Sequence, residues 1–395
     1  MCPARGPRAA ACFLMVSVAW SACHAWGAFE PRASAVEGAG EANSVADVNS
    51  AAYWRQWTGA EPNHPDLTAL LYWTDKDTGL MQRRFLAGPA ATTLLTREQG
   101  LQAPYGLAVD RLRNRLYWAD TGAIYSARLD GTDIRVLVSD LAFPADLALH
   151  AAAGHLYWTD RSAGVIQRLD LEQGKVETIL TGLSNPYYLA LDVRGGMIYW
   201  TEFKNSIINC ARWDGKDHQI VVRGLQRARD IAVDPLGRKL YWADRDAAKI
   251  QRTDLDEPGP VEDLFTSADG LMRPHGLVLD VFTRRIYWTD TDRPGVYGGS
   301  VDGRDVRALA TEGLDGPWGI GLITSTPDLD LDADVDWLDW HGFAQQWLDD
   351  RVSWMTGWGA GRDLNADGVV NLRDFARFAQ SWRVEPDKVH EPPPS

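Results

Sequence analysis

Tyr72-Trp73-Thr74-Asp75 is the stretch that decides the fold, because it returns five times. The copies are Tyr117-Trp118-Ala119-Asp120, Tyr157-Trp158-Thr159-Asp160, Tyr199-Trp200-Thr201-Glu202, Tyr241-Trp242-Ala243-Asp244 and Tyr287-Trp288-Thr289-Asp290. Successive copies lie 45, 40, 42, 42 and 46 residues apart. That period fits one four-stranded propeller blade. A bulky aromatic pair at fixed register reads as core, not as six active sites, because repeated units bury their faces against neighbours.

The rest of the period fills in the blade. About ten residues before most copies comes a short apolar run such as Pro104–Asp110, with relatives starting at Pro144, Pro186, Ala228, Pro274 and Pro317. Such runs suit a strand buried on both faces near the axis. An alternating strand follows each quartet, as in Ile124–Leu129, then an Asp-Gly turn such as Asp130-Gly131, Asp214-Gly215 or Asp302-Gly303. Segments such as Arg135–Val138 and Thr178–Leu180 supply a fourth strand. The first quartet has no inner strand before it, and Pro317–Ile323 has no quartet after it. Pairing the two closes the ring and removes two open sheet edges. The expected fold is therefore an all-β six-bladed propeller over residues 66–326, with a small all-α module after it.

Residues 66–324 resemble the YWTD, or class B, repeat of the low-density-lipoprotein receptor family. The resemblance implies structural quartets, with Tyr and Trp between blades and Thr and Asp hydrogen-bonded. Ala119 and Ala243 stand where that pattern has Thr, and Glu202 where it has Asp. Each such blade is expected to lose or lengthen one hydrogen bond, worth about 1 kcal/mol. It also implies a protein ligand on one propeller face. Read in register, the residues opening the inner strands give Tyr105, Asp146, Tyr187, Tyr188, Arg229, Asp230, His275 and Trp318 as the candidate ligand face. Aromatic anchors with Arg are the composition of binding hot spots. A solvated rim without a ligand is the competing reading. A central-metal hydrolase or lactonase using Asp146, Asp230 and His275 is the enzymatic alternative, possible in polysaccharide degradation. No G-x-S-x-G, H-E-x-x-H or P-loop supports it.

After Pro327 the pattern changes. Asp363, Asn365, Asp367, Val369 through its carbonyl, Asn371 and Asp374 occupy positions 1, 3, 5, 7, 9 and 12 of a calcium loop, with Gly368 at 6. Asp328, Asp330, Asp332, Asp334, Asp336 and Asp339 repeat the spacing, although Ala333 replaces the glycine. Six carboxylates in twelve residues repel each other unless a cation joins them. Phe375, Phe378 and Trp382, and likewise Trp340, Phe343 and Trp347, form apolar helix stripes. The pair, residues 327–383, resembles a type I dockerin module, with a long insert at Leu348–Arg362. That implies two Ca²⁺ ions and a cohesin-like scaffold partner, selected through Trp337, Leu338, Leu372 and Arg373. Those positions differ between the halves, against symmetric dual binding.

Arg5 and Arg8 precede the apolar run Ala9–Trp20, and cleavage after Ala25 completes a secretory signal. A lipid anchor on Cys23 is the second reading. Residues 26–65 read as a linker and 384–395 as a Pro-rich disordered tail. No second apolar segment reaches spanning length, so a soluble, exported bacterial product is expected. Cys210 would be the only cysteine left, and reads as core. A net charge of −14 argues against a nucleic-acid binder, which usually shows a basic face.

Overall fold

The computed structural model describes residues 69–86 and 90–324. The expectations for residues 1–25, 26–65, 327–383 and 384–395, including every calcium and docking residue, lie outside them. The described residues form strands β1 to β24 in chain order, arranged as six four-stranded antiparallel sheets.

The inner strands are β4 (Leu107–Asp110), β8 (Pro144–His150), β12 (Pro186–Asp192), β16 (Ala228–Asp234), β20 (Pro274–Asp280) and β24 (Pro317–Ile323). The quartets end the second strands β1 (Leu70–Asp75), β5 (Arg115–Asp120), β9 (His155–Asp160), β13 (Met197–Glu202), β17 (Lys239–Asp244) and β21 (Arg285–Asp290). The ring closes as the strand count requires. β24 pairs with β1, placing Leu70 opposite Ile323, Tyr72 opposite Gly321 and Trp73 opposite Ile320.

The aromatic pair explains why blades stack. Adjacent residues on a strand point to opposite faces. The Tyr of each quartet therefore enters one interface and the Trp the other. Tyr72 clusters with Trp118, Tyr117 with Trp158, Tyr157 with Trp200, Tyr199 with Trp242 and Tyr241 with Trp288. Tyr287 then clusters with Trp73 of the first blade. Each such side chain removes about 150–250 Å² from water. Cys210 is buried in one of these interfaces, and burial raises its thiol pKa.

Thr and Asp stitch the loops. Thr289 Oγ1 accepts from Gly276 N and donates to Trp318 O of the next blade, both at 2.8 Å. Thr74 does the same between Gly319 N and Tyr105 O. Gly276 and Gly319 are required by that approach, since a Cβ there would lie 2.2 Å from Trp318 O and 2.4 Å from Tyr105 O. Asp120 caps Gln102 N and Ala103 N, and Asp75 caps Asp315 N across the closure.

The expected loss of one hydrogen bond is seen at Ala119, where a single direct bond stands in for the two that a Thr hydroxyl makes. Gly106 N donates directly to Ala145 O at 3.1 Å. The inner strands close up and replace part of the lost bridge. Glu202 accepts from Asn205 Nδ2 at 2.7 Å. The Asp-Gly turns are wider than two residues: Gly131 (φ 85) and Asp133 (φ 55) both adopt left-handed backbone between the flanking strands.

Candidate functional site

The inner strands run parallel to the axis and enclose a cavity of about 240 Å³. Their first residues sit at one mouth, here called the upper mouth. The sequence treats the eight candidate residues as a single ring, whereas the structure divides them into two tiers. The period-two alternation of a strand is the reason.

The outer tier holds Tyr105, Tyr187, Arg229, His275 and Trp318, and Tyr188 joins it although it shares the register of Asp146 and Asp230. Tyr187 stacks on Tyr188 at 4.9 Å, and Tyr105 meets Trp318 edge-on at 5.7 Å. The His275 ring lies 3.7 Å from the Trp318 ring, and its Nδ1 shares a 2.7 Å hydrogen bond with the Tyr188 hydroxyl. These rings plug the mouth. Tyr105 and Trp318 are half-buried; Tyr187, Tyr188, Arg229 and His275 are buried. Burial, with the nearby charges of Arg229, Arg245 and Lys76, drives the His275 pKa well down, so its imidazole is neutral.

The inner tier holds Asp146 and Asp230, which line the cavity beneath the plug. Each staples its strand to the next blade. Asp146 Oδ2 accepts from Leu189 N at 3.0 Å, and Asp230 Oδ2 accepts from Leu277 N at 2.8 Å. Burial raises both pKa values, Asp230 to about 7; the charge of Asp230 raises Asp146 further. The remaining cavity lining is apolar side chains and backbone, as at Leu107, Val109, Leu279 and Leu322. His275 therefore stands in the plug and the two carboxylates below it. Among the described residues no group of three His, Cys, Asp or Glu could hold a metal ion.

Sequence reasoning missed the loop residues that complete the mouth. Phe143 and Phe203 pack against the Tyr187–Tyr188 cluster. Lys76 lies 4.9 Å from the Trp318 ring, and Arg161 lies 5.3 Å from both Phe143 and Tyr187. The signal was one residue away, because Lys76, Arg161, Phe203 and Arg245 each follow a quartet directly.

Comparison with known proteins agrees with this architecture. Residues 196–235 match the low-density lipoprotein receptor repeat class B. Low-density lipoprotein receptor-related protein 5 of Mus musculus is 40% identical over 95 residues, 23% of this chain and 6% of that protein. The related protein 5-like protein of Homo sapiens is 32% identical over 114 residues, 28% of this chain and 44% of that protein. Protein cueball of Drosophila grimshawi is 36% identical over 99 residues, 23% of this chain and 16% of that protein. The chain thus spans less than half the length of these relatives. A solved nidogen/laminin complex contains a chain with a TM-score of 0.58 at 22% identity, covering 64% of this chain and 98% of that one. TolB from Acinetobacter baumannii gives 0.53 at 15% identity, over 70% and 71% of the two chains. The described region is a six-bladed propeller, and the class B repeat is matched within it at residues 196–235. Among the described residues no helix is long and apolar enough to cross a membrane.

Proposed function

We propose that the chain is an exported, non-enzymatic interaction protein whose upper mouth holds a protein partner. One observation carries this reading: the candidate residues and their loop neighbours form a packed aromatic–arginine cluster at one end of the axis. Such clusters are typical of binding hot spots. The nidogen/laminin complex is a protein–protein assembly that contains a similarly folded chain. The test is capture of secreted proteins on the whole chain, comparing wild type with Trp318→Ala. Loss of a captured protein in the variant supports the reading, and identical capture overturns it.

The second part of the proposal is a calcium-dependent dockerin-like tail that fixes the propeller to a cohesin-like scaffold in a bacterial secretome. Its support is the sequence spacing from Asp328 to Asp339 and from Asp363 to Asp374. Calorimetric titration of the chelator-treated chain should show two Ca²⁺ sites. Absence of calcium binding overturns this part and leaves the propeller reading standing.

A further inference from the structure

The protein is acidic overall, with a net charge of −14, yet its upper mouth is crowded with cations. Arg229 sits 5.1 Å from the Tyr187 ring, 5.2 Å from Phe203 and 5.8 Å from Trp318. Arg161 lies 5.3 Å from Phe143 and Tyr187 and 5.4 Å from Phe203. Lys76 covers Trp318 and, at 5.7 Å, Tyr105. Aromatic faces hold these cations in place without neutralising them.

Other cations on the same rim have carboxylate partners. Arg227 pairs with Asp246 at 3.0 Å, and Arg273 with Asp292 at 3.1 Å. Asp77 and Asp315 also lie on the rim and are exposed. Among the described residues, no carboxylate stands within ion-pair distance of Lys76, Arg161 or Arg229. Arg229 is only 5% exposed, and its buried Nε has no hydrogen-bond partner. Three cations held on rings around one axis, with the buried Arg229 Nε unpaired, are half of a charge-assisted contact.

We infer that the upper mouth selects an acidic peptide loop, whose Asp or Glu carboxylates meet Lys76, Arg161 and Arg229 over the aromatic plug. This rests on the interaction reading above and adds the chemistry of the partner. A protruding loop fits better than an extended anionic polysaccharide. The cations converge on one recessed point, with Arg229 at its base, so short side-chain carboxylates reach them where a continuous chain would lie across the rim.

The experiment uses the full chain and two capped six-residue peptides, one of Asp and Glu and its Asn and Gln counterpart, with polygalacturonate as a third probe. Titration calorimetry should show the acidic peptide binding about tenfold tighter than the neutral one. Lys76→Gln and Arg161→Gln should each weaken it about fivefold at an unchanged melting temperature, and 1 M salt should erase the preference. Both positions are partly exposed, so the variants test charge rather than folding. Equal binding of the two peptides, or no effect of either variant, overturns the inference. Binding of polygalacturonate alone overturns it in favour of an anionic glycan. Capture of a protein that survives both variants but is lost in Trp318→Ala leaves the interaction reading intact while this inference falls. Peptide selectivity with no Trp318-dependent capture has the opposite meaning.

Discussion

At the residue scale the quartet divides its labour by chemistry. Thr289 gives the sharpest test, because its hydroxyl both accepts and donates between blades. Thr289→Ala leaves the Gly276 amide buried without that acceptor, so it should destabilise by about 1–3 kcal/mol in denaturant unfolding. Ala119→Thr should bring no gain, despite restoring the repeat pattern. Gly106 N already bonds Ala145 O, and a Cβ on Gly106 would lie 2.1 Å from Asp146 Oδ1. The added hydroxyl and methyl have to force those strands apart, at a cost of about 1–3 kcal/mol. A gain in stability from Ala119→Thr would refute the direct-contact account. The quartet was readable because one physical demand recurs six times. The replacement bond at Ala119 was not, since it depends on how far two backbones close when a side chain shrinks.

At the element scale the closing strand carries the architecture. β24 supplies the inner edge of the first blade and places Ile320 and Leu322 against Trp73. Removing Pro317–Ile323 should lower the melting temperature of the whole ring, with loss of Trp73 burial visible in tryptophan fluorescence. A truncated chain that melts like the full one would contradict the closure. Strand positions were legible because apolar runs and quartets alternate at a fixed interval. The two tiers at the mouth were less so. Listing Asp146 beside Tyr187 ignores that neighbouring register positions face different surroundings, one the plug and one the cavity. Loop residues such as Arg161 and Phe203 hold a periodic position directly after a quartet but vary in residue type, so only three-dimensional proximity shows that they join the mouth.

At the scale of the whole molecule, the cavity makes stability depend on pH. Asp146 and Asp230 have folded pKa values above their unfolded ones, so the folded state holds extra protons. Stability from this source is present at low pH and falls as pH rises through those values. His275 works oppositely below about 6.5, where an unfolded imidazole gains a proton that the buried ring refuses. Between about pH 7 and 8, where unfolded histidines are mostly neutral, the carboxyl contribution is therefore the larger one among these described groups. Thermal unfolding should show declining stability across that window, at up to about 1.4 kcal/mol per pH unit for each proton released. Asp230→Asn should flatten the slope, whatever its absolute cost; an unaltered slope would show that the pair does not titrate there. If the proposed calcium reading of residues 327–383 holds, chelation should remove a far-UV dichroism signal while the propeller transition stays put. One lasting consequence comes from the pairing of Leu70 with Ile323. The chain enters and leaves the disc side by side, on the side away from Trp318. A tether fused at Leu70 or at Ile323 would therefore attach at the end of the axis opposite the plug and leave the upper mouth uncovered.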